Sequence, residues 1–191
     1  MTKSTVDLQQ EHKSDINNLE HGLKDYKSIA FNWFKPGVPR IITNQTEIEE
    51  KILRQKSKPI NGKDFKTALL IGDLLIKALE ASSEQVDMPG VGLSAVQIGL
   101  LAQIFVANIK GKMQIFINPQ ITFLDNQKIA GVEGCLSLPG VEVVVPRYNR
   151  VRLKYIDING NVQNLVLKGF NARVVQHEYD HLFGRLIVDY V

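Results

Sequence analysis

The sequence has a single cysteine, Cys135, among its 191 residues. Because one thiol cannot pair within the chain, disulfides do not hold the fold together, and a reducing compartment is expected. Long hydrophobic runs are also missing: the most apolar stretch, residues 98–109, is broken by polar residues and is too short to span a bilayer. Residues 1–30 lack the apolar core of a secretory signal and the arginines of a transit peptide. The sequence therefore predicts a cytoplasmic protein with no membrane partner.

Concentrations of charge are missing as well, since the basic residues are scattered and form no long run. The net charge of +3 and the pI of about 8.9 permit an RNA-rich neighbourhood but give no indication of DNA binding. With 44% hydrophobic and 23% charged residues, the composition is that of an ordinary globular protein. The length suits one domain with one core.

The chain divides into a polar N-terminal extension and a denser body. Residues 1–45 are polar and weakly patterned, apart from aromatic residues at positions 26–34. We expect this extension to be mobile, with its aromatic side chains docking on the body, and nothing in its residues indicates a role. Residues 46–191 carry the apolar periodicity of a folded domain.

The patterns in the body predict helices at both ends and strands between them. Thr46 has capping-box spacing and begins a short helix through Leu53, and residues 64–83 form a longer amphipathic helix. Asn171 is expected to cap a final helix that runs to Gly184. The expected strands are apolar segments bounded by turn residues: 102–108, 114–117, a buried strand at 141–145, 151–158 and 162–167. This order indicates an α+β fold with mostly antiparallel pairing.

The final helix contains the motif His177-Glu178-x-x-His181. Four residues make just over one helical turn, so both imidazoles lie on one face and can bind one metal ion. Glu178 lies about 100° round the helix from His177, where it could accept a proton from bound water. The alternative is a chance pair of histidines on an amphipathic helix.

A catalytic metal site needs a third protein ligand, and we expect it upstream of the motif. In the common proteases with this motif the third ligand lies downstream, but only ten residues follow His181, and they contain no His or Glu. The candidate is Cys135, in a segment with three glycines and a proline. A buried, inert cysteine is one alternative. A nucleophilic Cys–His pair is another, although it leaves the second histidine and Glu178 without roles.

Residues 90–99, with the sequence GVGLSAVQIG, form a third unusual segment. The absence of Gly-Lys-Ser/Thr excludes a phosphate loop. Gln97 could donate a side-chain N–H to a developing oxyanion, and the glycine-rich backbone could pair with an extended peptide. Alternatively, the glycines only allow close packing at a helix entry.

Taken together, three segments resemble the three motifs of the peptide deformylase family and occur in the same order. They are GVGLSAVQIG at 90–99, EGCLS at 133–137 and QHEYDHL at 176–182. The resemblance extends from about Leu53 to the C-terminus. It implies mostly antiparallel sheets packed around a central C-terminal helix that carries HExxH, in a catalytic domain at 46–191. Ser94 stands where alanine is more usual, a change that we expect to leave the chemistry unaffected.

The resemblance implies a role for each matching residue. Cys135, His177 and His181 would hold one divalent metal ion, with water in the fourth position. The resemblance favours Fe²⁺ as the bound ion, although some members use Zn²⁺ and Ni²⁺ or Co²⁺ could substitute. Thiolate and imidazole ligands bind all of these metals, so the ligand types do not identify the ion. Glu178 would act as general base and then as general acid.

The resemblance also implies how substrate is bound. The formyl oxygen would be stabilised by the metal, the Leu136 backbone N–H and the Gln97 amide. The remaining substrate-binding residues would contact an extended peptide or line an apolar pocket for methionine: Val91, Gly92, Gly134, Leu136 and Val174. Arg147 and Arg173 would either pair with acids such as Glu133 or lie solvated on the surface.

The function implied is removal of the N-formyl group from the formylmethionine of newly synthesised polypeptides. These nascent peptides are the expected partner. We expect proximity to the ribosome without the C-terminal helix that many bacterial members use for docking, and the oligomeric state is not indicated. Two alternatives stay open: another small metal-dependent amidase or peptidase, and a catalytically silent protein in which a metal staples the helix to the core. Glu178 and Gln97 argue against the silent protein, because a structural site needs neither.

Overall fold

Short amphipathic segments separated by glycine-containing turns produce a fold dominated by antiparallel hairpins. The computed structural model describes residues 23–82 and 90–191. The strands are β1 (Trp33–Lys35), β2 (Val38–Pro39), β3 (Gly92–Ser94), β4 (Ile104–Ile109), β5 (Lys112–Phe123), β6 (Lys128–Cys135), β7 (Leu138–Tyr148), β8 (Arg150–Ile156) and β9 (Val162–Lys168). The helices are α1 (Glu47–Leu53), α2 (Phe65–Glu80) and α3 (Phe170–His181).

The main sheet has five strands in the order β3-β4-β5-β8-β9, and every neighbouring pair is antiparallel. Strands β6 and β7 form a separate long hairpin, and β1 and β2 a short one. The α+β class with mostly antiparallel pairing, predicted from the sequence, is confirmed. In the described part of the chain, no helix has both the length and the apolar character needed to cross a membrane.

The predicted hairpins form around turns that the residues favour. Lys110 and Gly111 both have positive φ, at 53° and 82°, which suits the twist of a two-residue hairpin. At the β8–β9 turn, Asp157 Oδ1 accepts hydrogen bonds from the main-chain N–H groups of Asn159 and Asn161. The buried strand predicted at 141–145 is half wrong: it lies within β7, but only Val145 among its residues is buried. Successive side chains of β7 point to opposite faces, and one face of the β6–β7 hairpin is exposed, so the strand alternates between core and solvent.

Helix α3 lies centrally, as the resemblance implied. Its buried residues Ala172, Val174 and Val175 pack in a core cluster with Phe105, Phe116 and other residues of the main sheet. It also contacts β3 and β7. Helix α2 covers another part of the main sheet through a second cluster that includes Ile71, Leu75, Ile104 and Val106. The helix with the HExxH motif is therefore held between the main sheet and the β6–β7 hairpin.

Helix α1 begins where the sequence predicts, because Thr46 Oγ1 accepts a hydrogen bond from Glu49 N at 3.2 Å. The final helix begins differently: its N-cap is Gly169, and Asn171 lies inside it. The predicted cap at Asn171 is therefore wrong, while Gly184, at φ 73°, has the left-handed conformation expected just after the helix. Residues 1–22 of the extension lie outside the described residues; in the remainder, Leu23, Tyr26 and Ile41 are buried against the body.

Candidate active site

Three predicted metal ligands come together from two elements. Helix α3 carries His177 and His181 on successive turns, and their Nε2 atoms lie 3.3 Å apart. Cys135 ends β6 at an irregularity in the register with β7, and its Sγ lies 3.3 Å from His181 Nε2. The three ligand atoms lie within 4.8 Å of one another. One thiolate and two imidazoles in this arrangement fit a divalent metal, with room for a further ligand.

The orientation of His177 is fixed by Glu133, whose Oε2 lies 3.0 Å from His177 Nδ1. This contact leaves Nε2 directed at the other two ligands, as in many metal sites where a carboxylate holds the outer nitrogen of a histidine. Burial alone would raise the pKa of Glu133, but hydrogen bonds from Arg147 and His177 lower it to about 2. Glu133 is therefore an anion that favours metal binding by His177.

Two arginines hold Glu133 in place. Arg147, with a side chain only 4% exposed, donates from Nε and one terminal nitrogen to both oxygens of Glu133, each at 2.9 Å. Arg173 donates to Glu133 Oε1 at 2.7 Å and to the carbonyl oxygens of Ile129 and Val145. Of the two alternatives from the sequence, pairing with Glu133 is the one found. Arg173 thereby joins α3 to the hairpin that carries Cys135.

Glu178 is buried, with its carboxylate beside β3. The Ser94 hydroxyl lies 2.7 Å from Glu178 Oε2. A Cβ added to Gly92 would lie 2.6 Å from Glu178 Oε1, so any other residue here would force the carboxylate to shift. Burial raises the pKa of Glu178 to about 6, although His177 and the Ser94 hydrogen bond oppose the shift. Ser94, which was expected to leave the chemistry unaffected, therefore contacts the carboxylate of Glu178 directly.

Gln97 lies in a short 3₁₀ helix, Ala95–Ile98, that follows β3. Its Oε1 accepts a hydrogen bond from Ser94 N at 2.8 Å. The amide nitrogen is thereby turned toward Ser137 Oγ, at 3.2 Å, and Cys135 Sγ, at 3.8 Å. The main-chain oxygen of Gln97 accepts from Ile42 N at 2.8 Å. With Oε1 engaged, the amide N–H groups of Gln97 face Ser137 and the candidate ligand Cys135.

These residues border a cavity of about 200 Å³. All the site residues predicted from the sequence except His181 line this cavity: Val91, Gly92, Gln97, Gly134, Cys135, Leu136, Val174, His177 and Glu178. The cavity is also lined by Gly90, Val132 and Phe170, which were not predicted as site residues from the sequence. Phe170, which is 64% exposed at the start of α3, gave no periodic signal that separates it from a surface residue.

The comparisons with known proteins agree with this geometry. A family model described as polypeptide deformylase matches residues 42–191. Peptide deformylase 1 of Clostridium perfringens is 37% identical over 144 residues, which are 74% of this chain and 92% of that protein. The crystal structure of peptide deformylase from Thermotoga maritima has a TM-score of 0.70 at 32% sequence identity. The match covers 81% of this chain and 97% of the Thermotoga maritima chain.

A Met-Ala-Ser-bound crystal structure of a class I type b peptide deformylase from Acinetobacter baumannii has a TM-score of 0.71 at 25% identity. The match covers 81% of this chain and 98% of that one. The resemblance drawn from the three motifs is confirmed. The chain therefore belongs to the peptide deformylase family, the metal-dependent hydrolases that remove the formyl group from the N-terminal formylmethionine of newly synthesised polypeptides.

Proposed function

We propose that this chain deformylates nascent peptides in the cavity beside Cys135, with Glu178 as the proton carrier and Gln97 and Leu136 as oxyanion donors. The observation that carries the proposal is that a buried carboxylate and an oriented amide border the same cavity as Cys135 and His177, two of the three convergent ligands. A purely structural metal site would need neither group. Residues 46–191 would constitute the catalytic domain, working in the cytoplasm close to the ribosome, where formylated nascent peptides occur.

Cys135, His177 and His181 would hold the metal ion. When bound, this ion would act as a Lewis acid toward the formyl oxygen and make water a better nucleophile. We assign Fe²⁺ as the native ion on the resemblance, with Zn²⁺ as the alternative, because a mixed thiolate and imidazole set accepts several divalent metals. Anaerobic purification followed by metal analysis decides between the two ions.

Glu178 would move the proton. As water adds to the formyl carbon, one of its protons passes to Oε1 of Glu178, since Oε2 is engaged by Ser94. When the bond between the formyl carbon and the amine nitrogen breaks, the same carboxyl returns the proton to that nitrogen. The products are a peptide with a free amino terminus and formic acid, which keeps the second proton of the water until it ionises to formate in solution. The carboxylate ends the cycle in its starting state.

Gln97 would stabilise the formyl oxygen as it gains negative charge. Its amide orientation is set before substrate arrives, because Ser94 N holds Oε1. Hydrogen-bond donors that are already oriented lower the activation barrier most, because they need no reorganisation during the reaction. Removal of one such donor typically lowers the rate about 10²–10³-fold. Leu136 follows the cysteine directly and borders the cavity, which supports its backbone N–H as a second donor.

The peptide would bind as an added strand between β3 and β6. Both strands pair on one side only among the described residues, and Gly92 and Gly134 bring their backbones to the cavity. Main-chain hydrogen bonds from such edges accept many sequences, while a pocket selects one side chain. Leu136 and Val174, both buried, supply apolar surface for methionine. Val91 lies at the entrance and is 44% exposed.

The test is an assay on formyl-Met-Ala-Ser, with acetyl-Met-Ala-Ser as the control and metal content measured on the same sample. The peptide part matches the Met-Ala-Ser held by the Acinetobacter baumannii structure. We expect release of formate at a rate proportional to metal content and negligible turnover of the acetylated peptide. Equal turnover of both peptides, or cleavage of an internal peptide bond, would support a general amidase or peptidase instead.

A further inference from the structure

Residues 23–41, the N-terminal strap, precede the part of the chain that matches the family model, which begins at residue 42. The strap is nevertheless packed against the body. Leu23, Tyr26 and Ile41 are buried in the same cluster as residues of α2, Ile98 of the 3₁₀ helix and Leu100 of the loop that follows it. The Tyr26 hydroxyl also donates to Asp64 Oδ2 at 3.1 Å. This amount of burial gives the strap a fixed position on the molecule.

The strap makes main-chain hydrogen bonds to the loop that follows the 3₁₀ helix of Gln97. Ser28 N donates to Gly99 O at 2.8 Å, and Leu101 N donates to Tyr26 O at 2.8 Å. The contact at Gly99 is so close that an added Cβ would lie 2.7 Å from Phe31 N. Gly99 also has a φ of 78°, which favours glycine. The loop and the strap are therefore in direct main-chain contact at Gly99.

This loop closes the turn that carries Gln97. Gly99 N donates to Val96 O and Leu100 N donates to Ala95 O, both at 2.9 Å. Directly after the strap, Ile42 N donates to the main-chain oxygen of Gln97 itself, at 2.8 Å. Movement of the strap would thus be transmitted to Gln97 through two routes, the Gly99 loop and Ile42.

We infer that the N-terminal strap is a positioning element for the oxyanion donor: it holds the Gln97 turn so that the side-chain amide keeps its orientation toward the cavity. The inference rests on the donor role proposed for Gln97. A misplaced donor loses transition-state stabilisation while the peptide still binds along β3 and β6. Loosening the strap is therefore expected to lower kcat and leave KM and metal content unchanged.

The test compares Ser28→Pro with Ser28→Ala. Both remove the hydroxyl that accepts from Ala30 N, but only proline also removes the N–H donated to Gly99 O. With formyl-Met-Ala-Ser as substrate, we expect the kcat of Ser28→Pro to fall about tenfold. This loss is smaller than the decrease in rate of about 10²–10³-fold that follows removal of a whole oxyanion donor. The kcat of Ser28→Ala should resemble that of the parent. If Ser28→Pro does not fold, Phe31→Ala replaces it, because the Phe31 ring packs on Trp33 and the core cluster.

The same variants are then made in a Gln97→Ala background. If the strap acts through Gln97, Ser28→Pro has no further effect on kcat there. Two results would overturn the inference and leave the donor role of Gln97 intact. One is a double variant in which the decreases in kcat of the two single variants multiply. The other is an unchanged kcat in a folded Ser28→Pro protein. Full activity of Gln97→Ala alone would overturn the donor role, and the positioning inference with it.

Discussion

The hydroxyl of Ser94 lies 2.7 Å from Glu178 Oε2 and 2.8 Å from the main-chain oxygen of Glu178. Both contacts are buried, and the hydroxyl has only one proton to donate between them. In addition, Ser94 N fixes Oε1 of Gln97 at 2.8 Å. One residue of β3 therefore orients both the proposed proton carrier and the proposed oxyanion donor.

Replacement of Ser94 by alanine should lower kcat about three- to tenfold with little change in KM. The Ser94 backbone still orients Gln97, so the loss comes from the carboxylate of Glu178, which no longer has a hydrogen bond to fix its rotamer. Steady-state kinetics on formyl-Met-Ala-Ser measure the effect. Ser57→Ala is the matched control, because Ser57 is also buried but its hydroxyl has no hydrogen-bond partner among the described residues. A kcat equal to that of the parent would mean that Glu178 is positioned without the serine.

Addition of one methyl group at Gly92 should be more damaging. The alanine Cβ would lie 2.6 Å from Glu178 Oε1, so the carboxylate has to move away from the substrate strand. We expect Gly92→Ala to keep its metal and lose at least about 10²-fold in kcat, since misplacement by an ångström can cost that much. Gly62→Ala is the control, because nothing lies within 4 Å of its added Cβ. Equal activity of the two variants would contradict the placement of Glu178 beside β3.

Replacement of Glu178 by glutamine should separate metal binding from proton transfer. The amide fills the same volume but cannot carry the proton, so we expect kcat to fall about 10²–10⁴-fold while metal content and melting temperature stay near those of the parent. Metal analysis and thermal unfolding are measured on the same sample. Loss of metal together with unfolding would instead indicate a structural metal that links α3 to the β6–β7 hairpin.

The candidate metal ligands and the fold class could be predicted because they depend on short-range rules. Four-residue spacing places His177 and His181 on one helical face, and the need for a third ligand selects Cys135. The contact between Ser94 and Glu178 could not be predicted in this way, since it joins residues 84 positions apart through the packing of α3 on β3. The burial predicted for 141–145 was wrong because β-branched composition does not tell how many faces of a strand are covered.

Glu133 is a buried outer partner of the site, and its replacement by glutamine should weaken metal binding. The variant removes the negative charge that engages His177 Nδ1 and that pairs with Arg173 and Arg147, although Arg147 keeps its ion pair with Asp180. We expect metal affinity, measured by competition with a chelator, to fall about 10–100-fold. Glu142→Gln on the exposed side of β7 is the control and should bind metal like the parent. Unchanged affinity in a folded Glu133→Gln protein would refute this role.

The ion pair between Arg54 and Asp189 should make stability depend on pH in the acid range. Arg54 donates to both oxygens of Asp189, at 2.6 and 2.7 Å, and Leu186 N donates to Oδ2 at 2.9 Å. Burial alone would raise the pKa of Asp189, but these hydrogen bonds and the charge of Arg54 lower it. Because the folded-state pKa is below the ordinary value of about 3.9, the stabilisation is present above that pH and is lost as the pH falls through the folded-state pKa.

Asp189→Asn should therefore unfold at a lower temperature than the parent at pH 7, and the difference should shrink as the pH falls below about 4. Both side chains of this pair are 34% exposed, so we expect only about 1 kcal/mol at pH 7, decreasing with added salt. The control is Glu47→Gln, which breaks the pair with Lys51 between side chains 82% and 70% exposed and should have a smaller effect. A destabilisation of Asp189→Asn that is equal at pH 7 and pH 3 would show that packing of the C-terminal turn, rather than charge, links it to α1.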